Sequence, residues 1–357
     1  MALPETMCGV VLTGHGGLDK LEWREDLPVP MPGEGEVLIR VRASSVNNTD
    51  INTRIAWYSK SVRGETAEGA AAGIADADAA DGGWSGEPIA FPRIQGADCC
   101  GEIAAVGPGV PEDRIGERVL VRALQSTGVS GSPFACRTFG SECDGAFAQC
   151  TKTAAADALP VQSNWSDAEL ASIPCAYSTA EGMLQRIDLG AERVLITGAS
   201  GGVGSAAVQL AKRRGAHITA MTEPAKAEAI RSLGADATVG RDDPLPAETF
   251  DAVVDLVAGP RWPEMIAALR RGGRYVTAGA IAGPIVELDV RTLYLRDLTL
   301  FGTTYQPGNI LPDVIGYIER GELQPLIAQE FDLKDLRHAQ QAFLDKTHIG
   351  KIVVRVE

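Results

Sequence analysis

Residues 194–214, VLITGASGGVGSAAVQLAKRR, constrain this chain more than any other stretch. A short apolar run enters the turn Gly198-Ala199-Ser200-Gly201-Gly202-Val203-Gly204, and apolar residues follow at Val203, Ala206, Ala207, Leu210 and Ala211. That spacing is one face of a helix. Strand, glycine turn and helix N-terminus in this order make an anion site, because the first N–H groups of a helix lack partners within it and the dipole is positive there. Gly201 lets the main chain approach a pyrophosphate and Gly204 lets the helix pack close to the strand, while Ala199 stands where a dinucleotide-binding turn usually has its first glycine. In a chain that is 45% apolar with 40 glycines, a tight strand-to-helix turn without a ligand reads the same way.

The residues beyond the turn favour the nucleotide-binding form. Segment 217–221 reads as a second strand after Gly215-Ala216, 225–233 as a crossover helix closed by Gly234, and 237–239 as a third strand. This is a βαβαβ half-unit. A strand at 252–257, a helix at 263–271, a strand at 274–278 and a sixth strand at 298–303 extend it. The expected fold of residues 176–306 is α/β, a doubly wound, six-stranded parallel Rossmann sheet.

The 357 residues exceed one ordinary domain, so two are expected. Lys and Arg number 33 against 47 Asp and Glu, a net charge of −14. Such a surface repels nucleic acid and anionic membranes, so local cations must meet an anionic dinucleotide. The first residues, MALPETMCGVVLTG, show no basic segment leading into a long apolar run, and no apolar stretch reaches membrane-spanning length; a soluble, cytoplasmic protein is expected. The seven cysteines, Cys8, Cys99, Cys100, Cys136, Cys143, Cys150 and Cys175, are read as reduced thiols. His15, His217, His338 and His348 stand singly, without ligand spacing.

Up to about residue 153, short strands are broken by Gly and Pro. Segments 8–13, 36–43, 101–106 and 117–122 lie between turns such as Pro32-Gly33, Gly107-Pro108-Gly109 and Asp144-Gly145, the pattern of a β-barrel domain. Residues 60–88 are different: rich in Ala, Gly, Asp and Glu, with Trp84 as their one aromatic residue, they carry no sustained period. They read either as a solvated surface insertion or as a lid.

VRASSVNNTD at 41–50, IQGADCCG at 94–101 running into VGPGV at 106–110, and GERV at 116–119 resemble the GroES-like barrel domain of the medium-chain dehydrogenase/reductase superfamily, the zinc-type alcohol dehydrogenase-like proteins. CAYSTA at 175–180, the AxGGxG turn at 199–204, GGRYV at 272–276 and HIGKIV at 348–353 carry the likeness over nearly the whole chain. The resemblance implies a GroES-like catalytic domain from 1–175 and 307–357, with 60–88 inserted, and a Rossmann domain from 176–306. Nicotinamide and substrate would lie in the cleft between them.

Zinc-dependent members place a Cys where this chain has Asn47, and a His-Glu pair where it has Ala97-Asp98. Of the three usual catalytic ligand positions only Cys175 carries a zinc-type ligand, and a catalytic zinc needs three protein ligands, so no catalytic zinc is expected. Cys136, Cys143 and Cys150 are too sparse for a four-cysteine structural site; a three-cysteine site with another ligand and three ordinary thiols both stay open.

The zinc-lacking quinone oxidoreductase and enoyl reductase branch is closer in pattern, with an Asn at the position of Asn47 and an Arg and a Tyr at those of Arg54 and Tyr58. This resemblance implies an NADP(H)-dependent oxidoreductase that transfers hydride to an activated double bond or quinone, with hydrogen-bond donors holding the developing oxyanion. Asn47 and Tyr58 are the candidates for polarising the carbonyl, with Tyr58 or water as proton source. Turn capping explains Asn47 equally well, and half-buried packing explains Tyr58. Asp50 is expected to order the loop or cap a helix.

Thr222 ends the second strand where NAD enzymes commonly carry an acid for the ribose hydroxyls. Lys226 and Arg241 match positions that resemble phosphate-pairing sites in NADP-using relatives. Glu223 would repel a 2′-phosphate or take the hydroxyls of NAD, and Lys226 also reads as a solvated partner of Glu223 or Glu228. NADP(H) is expected, with NAD(H) open. The remaining expected cofactor contacts are Thr179 near the nicotinamide, Ser200, Gly201, Gly202 and Val203 at the pyrophosphate, Ala278 with Gly279, and Lys351.

Two other functions stay in view: a zinc-type alcohol or aldehyde dehydrogenase, and a non-enzymatic NADPH-binding sensor. The expected partners are a small carbonyl, enone or quinone substrate and a second copy of the chain, paired through the edge strand at 298–303.

Overall fold

The computed structural model describes residues 3–74, 77–127 and 134–357, so Ala75 and Asp76 of the 60–88 segment lie outside the described residues. Six parallel strands lie in the order Ala237–Val239, His217–Met221, Arg193–Ile196, Phe250–Asp255, Leu269–Thr277 and Thr299–Gly302. Sequence order reverses between Arg193–Ile196 and Phe250–Asp255, which opens a crevice at their C-terminal ends.

Both faces of this sheet are apolar because helices cover both. Val194, Ile196, Ile218, Ala220, Val254 and Val276 share a core with residues of the helices Pro174–Arg186, Gly202–Arg213 and Ile310–Glu319. The alternate residues Leu195, Val253 and Tyr275 pack with Trp262, Met265 and Ile266 of the helix Trp262–Ala268. The helix expected over 263–271 stops at Ala268. Leu269 turns extended, buries its side chain and pairs with Phe250, and pairing resumes at Arg274 beyond a bulge.

A second sheet runs Ala158–Pro160, Arg118–Val121, Cys100–Val106, Glu36–Ser45, Lys351–Arg355, Ile327–Asp332, with Cys150–Ala154 also paired to Glu36–Ser45. Thr6–Leu12 pairs Leu21–Pro28 and Arg93–Ile94 beside it. Their inner residues form one core with Phe139, Phe147, Leu336 and Phe343. The late strand closes onto the early one, with Val353 opposite Ser45 and Arg355 opposite Ala43.

The 60–88 segment is docked on both bodies. Arg54, fully buried, donates to Gly16 O at 2.8 Å, Ala70 O at 2.7 Å and Gln340 Oε1 at 2.9 Å. Trp57 Nε1 donates to Gly64 O at 3.2 Å. The Thr66 N–H then reaches Ile281 O at 3.1 Å, in the loop that leaves the C-terminal edge of the parallel sheet. Among the described residues no helix is long and apolar enough to cross a membrane.

Helix and strand meet most closely at the glycine turn. A Cβ on Gly204 would lie 2.1 Å from Gly198 O and 2.7 Å from Ala199 Cα, both backbone atoms that cannot swing aside. Gly204→Ala is therefore expected to cost on the order of 1–3 kcal/mol, read as a lower thermal midpoint by calorimetry. An unchanged midpoint would mean that the helix is free to move off the strand.

Candidate active and cofactor site

The helix Gly202–Arg213 begins at the crevice, and the N–H groups of its first turn have no carbonyl partners within it. Ser200, Gly201, Gly202 and Val203 are only half-buried there; the Gly201 N–H closes the turn onto Gly198 O at 3.0 Å, which leaves the N–H groups of Gly202 and Val203 for an anion. Ala199 is fully buried and its N–H donates to Met221 O at 3.2 Å, fastening the turn to the next strand. Asp255 fixes the facing loop: fully buried, it accepts from Thr197 Oγ1 at 2.6 Å, from the Val257 N–H at 2.9 Å and from the Tyr275 hydroxyl. Ala278 and Gly279 follow Thr277, whose hydroxyl donates to Gly279 O at 3.0 Å.

The other side of the crevice comes from the barrel. The buried Asp98 carboxylate gathers four donors. Its Oδ2 accepts from Ser45 Oγ, from Asn47 Nδ2 at 2.7 Å and from Lys351 Nζ at 3.0 Å, while Oδ1 accepts the Cys175 N–H at 2.6 Å. Lys351, only 4% exposed, also donates to Asn47 Oδ1. The second Asn47 amide hydrogen goes to Ser45 O at 3.2 Å, so the whole amide is spent on its neighbours. The expectation that Asn47 polarises a substrate carbonyl finds no free hydrogen here; the amide instead orients Lys351.

Asn47 also caps the helix Asn48–Arg54, its N–H donating to Asp50 Oδ2 at 2.8 Å. Asp50 Oδ1 accepts the Gly96 N–H at 3.2 Å. Burial pushes this carboxyl up to about 7, the Asn47 N–H opposing the rise and Asp98 adding to it. Cys175 and Thr179 sit one turn apart on Pro174–Arg186, both half-buried. Burial, with Asp98 beside it, pushes the Cys175 thiol up to about 12. Tyr58, half-buried, donates to Thr49 Oγ1 at 3.2 Å, and burial pushes its phenol up to about 12.

At the second strand's end, Thr222 is buried with an unpartnered hydroxyl oxygen. Lys226 Nζ donates to Lys346 O at 2.6 Å and lies 3.6 Å from Glu223, which pairs on its other side with the exposed Arg241 at 3.2 Å. The Lys346 ammonium, 3.8 Å over the Phe343 ring, joins this group from the barrel side.

The structure thus brings Asn47, Cys175 and Lys351 together around Asp98, with Thr179 against Cys175, and groups Thr222, Lys226 and Arg241 around Glu223. Tyr58 is set beside the first group, close enough for Cys175 and Asp50 to bear on its phenol. Sequence reading missed Lys346, which is 120 residues from Lys226, and treated Asp98 only as a departure from a metal-ligand pair. It gave no role to Ser45, Asp255 or Tyr275. Cys136, Cys143 and Cys150 are free thiols, and among the described residues no three or more His, Cys, Asp and Glu side chains group as a metal site.

Two family models match: an alcohol dehydrogenase GroES-like domain over residues 33–163 and a zinc-binding dehydrogenase over 202–320. The chain is 41% identical to a solved protein from Sinorhizobium meliloti 1021 given as a candidate alcohol dehydrogenase, with a TM-score of 0.88 over 99% of this chain and 98% of that one. It is 25% identical to the acryloyl-coenzyme A reductase of Metallosphaera sedula over 98% of this chain and 99% of the relative. It is 27% identical to the L-threonine 3-dehydrogenase of Rhizobium etli over 93% and 94%.

The Asp50 carboxyl gives a pH-dependent prediction. Its folded value of about 7 lies above the ordinary 3.8, so the fold keeps a proton that the unfolded chain releases. That contribution is complete below 3.8, shrinks as pH rises and is lost above about 7. Urea unfolding of the wild type and Asp50→Asn should therefore show their stability difference moving against the wild type by a few kcal/mol between pH 4 and 8, roughly. A difference that stays flat over that range would place the Asp50 carboxyl in its ordinary range.

Proposed function

Because the chain belongs to the medium-chain dehydrogenase/reductase superfamily, we propose that it is a zinc-independent, NADP(H)-dependent reductase of an activated double bond or quinone. The observation that carries this reading is the Lys351 ammonium set between Asn47 and Asp98, two of the positions that bear the metal site in zinc-dependent relatives. A divalent cation there would face that ammonium with Cys175 as the one zinc-type ligand of the three positions, so these residues do not fit a catalytic zinc. The acryloyl-coenzyme A reductase relative supports an acceptor whose double bond is conjugated to a carbonyl.

The residues do fit an anionic dinucleotide. The N–H groups of Gly202 and Val203, with the close backbone approach that Ser200 and Gly201 allow, would hold the pyrophosphate, and the unpartnered Thr222 hydroxyl would face the adenosine ribose. Lys226, Lys346 and Arg241 would supply charge for a 2′-phosphate, with Glu223 turned to the cations it already pairs. Thr179, Ala278 and Gly279 would flank the nicotinamide, which supplies hydride when bound. Tyr58 stays protonated at neutral pH and is a proton source beside the Asp98 cluster. The 60–88 segment is tied to the loop after the fifth strand by the Thr66 N–H bond to Ile281 O. In this reading 1–175 and 307–357 form the catalytic body and 176–306 the nucleotide body, except that the helix Ile310–Glu319 packs with Pro174–Arg186 in the core of the parallel sheet and belongs with the nucleotide body. The similarity to the L-threonine 3-dehydrogenase keeps alcohol oxidation as the second reading.

The test is reduction of quinones, enones and simple aldehydes by NADPH and by NADH, with zinc measured on the same sample. Turnover of enones or quinones without zinc and with preference for NADPH is expected. Activity confined to alcohols and aldehydes, with one zinc per chain, would establish the second reading.

A homodimer belongs to the same proposal. Thr299–Gly302 is the last strand of its sheet, and the exposed Ile285, Val286, Val290, Tyr294 and Leu295 lie in the segment leading to it. An open edge beside an apolar patch suits a second copy of the chain. Val290→Lys with Tyr294→Lys should convert a dimer to a monomer in light scattering at micromolar concentration; a wild type that is already monomeric would sink this part.

A further inference from the structure

The cluster around Asp98 leaves one hydrogen unspent. An ammonium carries three donors. Lys351 gives one to Asn47 Oδ1 and one to Asp98 Oδ2, and its third has no acceptor among these contacts. The neighbouring side chains Cys175, Thr179 and Tyr58 are half-buried. Cys175 is a neutral thiol, and Tyr58 has one hydroxyl proton and no charge. Asn47 has no free hydrogen at all. Lys351 is thus the one positive charge this cluster holds at the barrel side of the crevice.

Resting on the reductase reading, we propose that Lys351 is a catalytic residue whose third N–H holds the substrate oxygen on which negative charge develops. In the step that follows from that reading, the β-carbon of the enone gains a hydride, the C=C pair shifts to the α-carbon–carbonyl bond and the C=O pair moves onto oxygen. The enolate oxygen lies against the ammonium until the α-carbon takes one proton from water or Tyr58. The products are the saturated carbonyl compound and oxidised nicotinamide. Fixed charge aimed at a developing oxyanion in a water-poor site is the strongest stabilisation of this kind available to a side chain.

The fold holds this ammonium in place from the cofactor side. The Lys351 stem runs over the pyrophosphate turn, where a Cβ on Gly202 would lie 2.7 Å from Lys351 Cδ, and the Gly350 N–H donates to Ser200 O at 3.0 Å. The stem thus touches the turn, while the charge points past it into the Asp98 cluster.

The experiment compares the wild type with Lys351→Met and with the pair Lys351→Met, Asp98→Asn, the second variant removing the carboxylate that the first leaves buried without its cation. Three quantities are read: kcat on an enone, the NADPH dissociation constant by fluorescence, and the absorbance of 4-nitrophenol with the NADP⁺ complex across pH. Both variants should lose roughly 10²–10³-fold in kcat, the loss typical of one oxyanion donor. NADPH affinity should hold within about threefold, as expected when only transition-state binding is removed. The wild-type complex should hold 4-nitrophenol as its phenolate at a pH where free phenol dominates, and both variants should lose that signature. Loss of NADPH affinity with kcat retained would overturn the proposal in favour of a cofactor contact. A phenolate signature that survives in the variants, or is missing from the wild type, would overturn it as well. A wild type that reduces neither enones nor quinones but binds phenolate only through Lys351 would sink the reductase reading and leave the oxyanion site standing.

Discussion

The Asp98 carboxylate is the constraint on which the rest of the site depends. A carboxylate with no solvent exposure is costly unless every lone pair is met, and this one is met from four separate elements. Ser45 ends a barrel strand, Asn47 caps the next helix, Cys175 begins the helix that lines the parallel sheet, and Lys351 opens the closing strand. Each is held by the same two oxygens, so a shift in any of them exposes a charge to an apolar interior. The floor of the crevice is rigid for that reason, and its rigidity is what makes an aimed ammonium useful.

That arrangement requires contacts across most of the chain. Lys351 is 253 residues from Asp98, and it reaches the carboxylate because the register sets Val353 against Ser45. Lys351 and Val353 share a strand face, since side chains alternate with period two. Val353 packs into the core of the parallel-sheet body, so Lys351 is carried to the joint between the two bodies. The hydrogen bond from Gly350 to Ser200 fixes the same joint from the other side.

Local pattern explains what was legible in the sequence. The glycine turn, the alternating apolar strands and the order of six parallel segments need only neighbouring residues, and they appear in the structure within a few positions of where periodicity puts them. The helix boundary at Ala268 was misplaced because a buried Leu269 reads the same in a helix as in a strand until its partner Phe250 is known. Asn47, Cys175 and Lys351 were visible as positions, through family resemblance, but their connection was not. No spacing rule links residues 47, 98, 175 and 351, and Asp98 carried no signal except that it was not a His-Glu pair. Lys346 was invisible for the same reason, being brought to Lys226 only by the closing of the barrel. Residues 60–88 showed no period because they are held by single side chains, above all the buried Arg54, rather than by a packed face of their own.

The molecule buries a second carboxylate beside the crevice, and the contrast between the two explains the division of labour. Asp255 is as deeply buried as Asp98, yet its partners are a threonine hydroxyl, a phenol and two backbone N–H groups, all neutral donors. With those bonds made, nothing is left to offer a ligand, and the burial serves to hold the loop after Phe250–Asp255 against the sheet. Asp98 accepts from three neutral donors and one cation, and the cation brings one more hydrogen than its two acceptors use. Neutral donors make a wall, whereas an ammonium partly paid for by its carboxylate makes a wall with a reactive face. The chain's acidic surface sharpens the effect, because a net charge of −14 leaves an incoming oxyanion few other places to be stabilised.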